Sequence, residues 1–179
     1  SNIIDIALQY CSDEKIGLVQ FPQAYRHVAD YNMPMACEYE HFFNIYMRYA
    51  NSSDCVFSTG TVSFIRMAAL KAIGGWGLDS LTEDVELGLK LYGAEYRGIY
   101  VNRRVGHGLM PGDFVSLRKQ RLRWVYGNMQ VLPQMFKLPR HTFTPKQWFS
   151  AIATLTSWFN PLILPAVGAV TSGVAYALQ

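Results

Sequence analysis

Gln120-Arg121-Leu122-Arg123-Trp124, read together with the upstream Thr82-Glu83-Asp84, decides how this chain is organised. Residues three and four apart on a helix share a face, so Gln120, Arg123 and Trp124 form one surface. That surface offers an amide, a permanently charged guanidinium fork and an indole ring. The set suits a sugar phosphate: arginine pairs with phosphate oxygens, the amide bonds hydroxyls, and the ring stacks on a pyranose. The upstream carboxylates could take a proton from a hydroxyl. The pattern predicts a long helix from Asp113 to about Gln134 for the first motif. The second opens a helix from about Thr82 to Tyr92, stopped by Gly93, and its Ser80–Glu83 spacing is that of a capping box.

Outward from these motifs the chain alternates between strand and helix signals. Residues 3–11 read as helix, and Ile16 to Phe21 as a buried strand stopped by Pro22. A long helix is expected from Pro34 to about Ala50, broken by Asn51-Ser52-Ser53-Asp54. Two short strands, Cys55–Ser58 and Val62–Ile65, flank Thr59-Gly60-Thr61, where backbone amides and small hydroxyls could approach a ligand closely. A helix from Met67 to Ile73 ends at Gly74-Gly75, and Arg97–Val101 is the next strand. The mixture predicts an α/β domain, and 179 residues suffice for a core.

Charge is scarce, at 16% of residues, and unevenly placed. Between Arg97 and Arg123 there are seven Lys or Arg residues against one acid, Asp113. After Lys146 no Asp, Glu, Lys, Arg or His appears through Gln179. A basic stretch before an uncharged one matches the flank of a membrane segment. Trp148 to Leu178, interrupted by Pro161 and Pro165, is expected as a short interfacial or broken helix followed by a transmembrane span. The basic stretch would also attract a nucleotide diphosphate or anionic lipid. No helix-turn-helix, zinc or RNA-binding signature accompanies it, so nucleic acid is not an expected partner. Cys11, Cys37 and Cys55 lack metal-ligand spacing and read as reduced thiols. His107, between Gly106 and Gly108, reads as a loop histidine.

Each motif has a plainer alternative. Glu83 and Asp84 are adjacent on a helix and point about 100° apart, so one faces the site and the other caps, packs or pairs. Both would also be favoured at a helix N-terminus by the dipole alone. The basic, aromatic helix of Gln120 to Trp124 could be an interfacial anchor, a role that fits Arg118, Lys119 and Arg121 better than Arg123.

Taken in order, Val19-Gln20-Phe21-Pro22-Gln23, Phe57-Ser58-Thr59-Gly60-Thr61, Ala72-Ile73-Gly74-Gly75-Trp76, Leu81-Thr82-Glu83-Asp84 and Lys119-Gln120-Arg121-Leu122-Arg123-Trp124 resemble the second half of the cytoplasmic domain of family 2 glycosyltransferases. These are inverting membrane enzymes that include cellulose, chitin, hyaluronan and poly-N-acetylglucosamine synthases. The resemblance implies a partial GT-A, Rossmann-like fold, with 1–140 as the acceptor-side half and 141–179 as the interfacial and transmembrane segment. It implies that Asp84 is the general base and that Glu83 supports or positions it. Arg123 and Gln120 would hold the donor diphosphate, Trp124 would border the acceptor sugar, and Thr82, Gly60 and Thr61 would line the same end. The implied partners are a nucleotide-sugar donor (a UDP-sugar), a glycan acceptor and the lipid bilayer, at the cell membrane with the catalytic part cytoplasmic. The implied cofactor is a divalent metal, Mg or Mn, held through an Asp-x-Asp motif that this sequence does not contain. The chain is therefore expected to begin after that motif and to be inactive alone. A non-catalytic membrane-associated module that binds glycan or nucleotide is the alternative.

Overall fold

The computed structural model describes residues 3–77 and 79–177, the side chains of 158 and 160–164 apart. Its centre is strand β1, Ile16–Gln20, with all five residues buried. An apolar run without alternation marks a strand covered on both faces. β1 pairs antiparallel with β3 (Ser63–Ile65), Leu18 opposite Ile65 and Gln20 opposite Ser63. On its other side it pairs parallel with β4 (Arg97–Tyr100), Val19 opposite Ile99, giving the order β3-β1-β4.

Helix α1 (Ile3–Tyr10) buries Ile6 and Ala7 in the cluster of Ile16, Val19 and Phe21. Leu18 packs instead with Ala69 of α4 (Met67–Ala72) and with Leu87 and Leu91 of α5 (Glu83–Gly93). Helix thus covers the strand from two sides. The stretch expected as one helix is α2 (Met33–His41), a π-helical turn over Phe42–Tyr46, and α3 (Met47–Ser52). α6 (Phe114–Met135) starts where Asp113 accepts a hydrogen bond from the Ser116 N–H at 2.7 Å. α7 (Pro145–Thr156) starts on a capping box in which Thr144 and Gln147 bond reciprocally. A third cluster joins α5, α6 and α7 through Leu89, Tyr92, Val131, Met135, Ala151 and Leu155.

Several expectations need correcting. Residues 55–58 run beside β4 without joining its ladder, because the Tyr92 hydroxyl takes the N–H of Val56 at 2.9 Å and that of Gly98 at 3.4 Å. Gly106–Gly108 is a strand, β5, paired parallel with β2 (Gln23–Tyr25), so His107 is a strand residue opposite Ala24. The capping box at α5 does not form: Thr82 is the N-cap without a side-chain bond, and the Ser80 hydroxyl donates to the buried carboxylate of Glu86 at 3.0 Å.

The expected transmembrane span is also not found. Among the described residues no helix is long and apolar enough to cross a membrane. α7 ends in a 3-10 turn, Ser157–Phe159, and α8 (Asn160–Ala177) has 18 residues. Pro165, Gly168, Thr171, Ser172 and Gly173 dilute its apolar run.

Candidate active site

Helix α5 is brought against α6 by a missing side chain. A Cβ at Gly127 would lie 2.7 Å from the Thr82 backbone nitrogen and 2.5 Å from Thr82 Cγ2. Only glycine lets the two helices touch there. The contact puts the N-terminus of α5 beside the middle of α6, so the Thr-Glu-Asp and Gln-x-x-Arg-Trp motifs meet. Asp84, Glu83, Thr82, Gly60, Thr61, Gln120, Arg123 and Trp124 all line one cavity of about 500 Å³. Every site residue expected from the sequence is therefore in the same place.

Of the two adjacent acids, Glu83 is exposed and Asp84 is the more buried. The Asp84 carboxylate faces Gly60, where an added Cβ would lie 2.8 Å from Oδ2. Burial pushes the Asp84 carboxyl up to about 6 from an ordinary 3.8. The Val85 backbone bond opposes the rise, Glu83 adds to it by like-charge repulsion, and the Arg123 guanidinium lowers it. A carboxylate tuned in this way is a competent proton acceptor near neutral pH.

The loop facing Asp84 holds an unfavourable backbone shape. Gly60 has φ +72° and Val62 has φ +48°. For a β-branched residue the left-handed region is disfavoured by about 1–3 kcal/mol, and such strain persists only where neighbours over-determine it. The neighbours are Gln20 and Phe21. Gln20 is fully buried; its Nε2 donates to Thr61 O at 2.7 Å and to Phe21 O at 2.8 Å. Its Oε1 accepts from Thr59 N–H at 3.0 Å, and the Phe21 N–H donates to Val62 O at 3.1 Å. The sequence offers one signal for Gln20, a polar residue closing an apolar strand before proline. The hydroxyls of Thr59 and Thr82 are buried without a partner among the described residues and belong to cavity-lining residues.

On α6, Gln120 Oε1 accepts from the Tyr39 hydroxyl at 2.8 Å. With that oxygen engaged, the amide has its N–H groups left for acceptor oxygens of a ligand. The guanidinium of Arg121 lies 4.8 Å from the Tyr39 ring centroid and 4.7 Å from that of Trp124, and pairs with Glu38 at 2.8 Å. Tyr25 stacks on Tyr39 at 4.4 Å. Arg121 thus belongs to the cavity wall and not to an outward anchoring face, because Trp124, three residues on, carries it inward. Tyr39 is a wall residue that the motifs do not point to: its part depends on α2 folding onto α6. Arg123 is exposed and makes no ion pair with a described residue, so its charge is available to an anion in the cavity. Among the described residues no group of three or more His, Cys, Asp or Glu could hold a metal ion. The residues present therefore do not fit the implied divalent metal.

Comparison with known proteins identifies the family. Residues 3–178 match the model of Glycosyl transferase family group 2. A UDP-forming cellulose synthase catalytic chain of Dictyostelium discoideum is 28% identical over 124 residues, 68% of this chain and 12% of that protein. Poly-beta-1,6-N-acetyl-D-glucosamine synthase of Staphylococcus epidermidis is 35% identical over 78 residues, 44% of this chain and 19% of that protein. The chain thus spans under a fifth of the length of these relatives. A mannosyltransferase of Pyrobaculum calidifontis, solved with GDP-Man and Mn2+, shares the fold at TM-score 0.59 and 15% identity, over 99% of this chain and 51% of that one. With the two motifs gathered on one cavity and a family match from Ile3 almost to the last residue, this chain belongs to glycosyl transferase family group 2.

Proposed function

We propose that the protein is the acceptor-side part of a hexosyltransferase that moves a sugar, with inversion, from a UDP-sugar to a growing polysaccharide. The observation that carries this reading is the cavity itself, where Asp84 faces the Gly60 loop with Gln120, Arg123 and Trp124 on the same lining. The acceptor hydroxyl oxygen attacks the anomeric carbon while Asp84 takes its proton. The bond from that carbon to the diphosphate oxygen breaks, and the diphosphate leaves with its charge met by Arg123 and the Gln120 amide. Trp124 gives the acceptor ring an aromatic face. Glu83, exposed beside the base, positions Asp84 and helps keep its affinity for protons high. The relatives named as cellulose and poly-N-acetylglucosamine synthases support a polysaccharide product, and the UDP-forming one supports a UDP-sugar.

A divalent cation, Mg or Mn, accompanies the donor in this reading, supported by the Mn2+ in the mannosyltransferase structure. Its ligands are not among the described residues, and no step above runs through it. The reading also places the protein at the cell membrane, with its cavity on the cytoplasmic side and the bilayer as partner. The exposed Val167, Val170, Val174 and Tyr176 of α8 support that placement.

The test is Asp84→Asn in the full-length protein. Sugar transfer from UDP-glucose or UDP-N-acetylglucosamine should fall by about a hundredfold to ten-thousandfold, with UDP-sugar affinity nearly unchanged in a binding assay. Near-normal turnover would remove Asp84 as the base. Donor binding without transfer by the wild-type protein would instead favour a non-catalytic binding module.

A further inference from the structure

Gln20 holds the loop facing Asp84 from beneath. It is fully buried at the end of β1, and it bonds the loop on both sides of Gly60: Thr59 N–H at 3.0 Å and Thr61 O at 2.7 Å. A glutamine binding two backbone groups in this way replaces ladder partners that the loop lacks. The loop needs such a clamp because Val62 holds a positive φ, which a β-branched residue disfavours. Its position also matters, because Gly60 is close enough to the Asp84 carboxylate that a Cβ would reach within 2.8 Å of Oδ2.

We propose that Gln20 is a positioning residue of the transfer reaction: by fixing the backbone from Thr59 to Thr61, it presses Gly60 against the Asp84 carboxylate and keeps water from it. The inference rests on the transferase reading above. Gln20 touches neither sugar nor leaving group; it sets where the base stands and how dry it is. Burial is the largest influence on Asp84, and the loop supplies a wall of that burial. Glu83 from the same helix and Arg123 from α6 act on Asp84 by charge. Tyr25 from β2, Glu38, Tyr39 and His41 from α2, Tyr46 from the π-helical turn, Cys55 ahead of the loop and Arg121 from α6 line the same cavity. The loop from Ser58 to Val62 and β1 carry no ionisable side chain. An uncharged replacement of Gln20 therefore reaches Asp84 through hydration and position, not through an altered charge.

The test is the pH dependence of UDP release in the full-length protein with UDP-glucose or UDP-N-acetylglucosamine and acceptor. The wild-type rate should fall on the acid side as Asp84 protonates near 6. Gln20→Met keeps the volume and removes the hydrogen bonds; Gln20→Leu removes them with a shorter apolar side chain. In whichever variant keeps the wild-type melting temperature, the acid limb should move down by about one pH unit or more as water reaches Asp84. Its kcat should fall about tenfold or more with KM for the UDP-sugar within about twofold. An unmoved limb, or a loss expressed only in KM, overturns the inference. In the wild-type protein, the Thr59 amide should be protected from hydrogen exchange like the amides of β1. Exchange at free-loop rates would overturn the clamp even if no variant folds. A wild-type protein with no turnover or no acid limb would defeat the transferase reading instead, with the Thr59 amide still protected.

Discussion

Asp84 is the residue on which chemistry and stability pull in opposite directions. Its carboxyl rises to about 6 in the folded protein from an ordinary 3.8. The folded state therefore binds the proton more tightly than the unfolded state. Asp84's own contribution to stability is full below about pH 4, falls as pH rises through the window from 3.8 to about 6, and is absent above it. Two units correspond to about 3 kcal/mol at most, discounted for partial exposure. Asp84→Asn mimics the protonated form, so it should melt a few degrees higher than wild type at pH 7.5 and at the same temperature near pH 4. Thermal scans at the two pH values check this, and an Asn variant less stable at both would contradict the burial of the carboxylate. That Asp84 and not Glu83 is the more buried acid against Gly60 does not follow from helical spacing, which allows either of two adjacent acids to point inward. The choice is made by Gly60 and Gly127, whose lack of side chains admits the loop and α6. Gln20 is visible in the sequence only as a polar residue at a strand end, because its role needs a loop that meets it from about forty residues away in the chain.

At the scale of elements, the decisive contact is α5 on α6. Gly127→Ala would push a methyl group into Thr82 and separate the helix carrying Asp84 from the helix carrying Arg123. Overpacking of this kind destabilises by about 1–3 kcal/mol, and the larger effect is expected on transfer, a loss of more than about tenfold in kcat. Measuring kcat beside the melting temperature separates the two: loss of stability with unchanged kcat would mean that the helix contact does not set the site. The helices are the most legible elements, since α1, α5 and α6 follow from apolar spacing and from glycine or an N-cap acid at their ends. The strands are less so. β2 and β5 are three residues each, too short for a period of two to stand out, and Gly106-His107-Gly108 has no strand-forming residue. Residues 55–58 have the right composition, yet Tyr92 intervenes where ladder bonds would form. Arg121 escapes a sequence reading for a different reason: besides Trp124 on its own helix, it contacts Tyr39 and Glu38 on a helix distant in the chain.

For the whole molecule, the uncharged C-terminal stretch divides into two behaviours. α7 buries Ser150, Ala151 and Leu155 in the domain, whereas α8 leaves Val167, Val170, Val174 and Tyr176 exposed. Composition alone shows a lack of charge after Lys146 and does not separate a docked helix from an exposed one. If α8 is what meets the bilayer, ending the chain after Phe159 should lower co-sedimentation with phosphatidylglycerol-containing vesicles severalfold, at high as well as low salt. Retained binding that disappears in high salt would assign the attraction to the basic residues between Arg97 and Arg123.

Tyr92 has a consequence beyond the fold it helps to build. β4 is the outer strand of its sheet, and outer strands invite pairing with other chains. Residues 55–58 cover that edge, and the Tyr92 hydroxyl occupies the N–H groups of Val56 and Gly98 while donating to Asp54 O at 3.1 Å. One phenol thus holds residues 55–58 over the β4 margin of the sheet, a cover of the kind that limits edge-to-edge pairing.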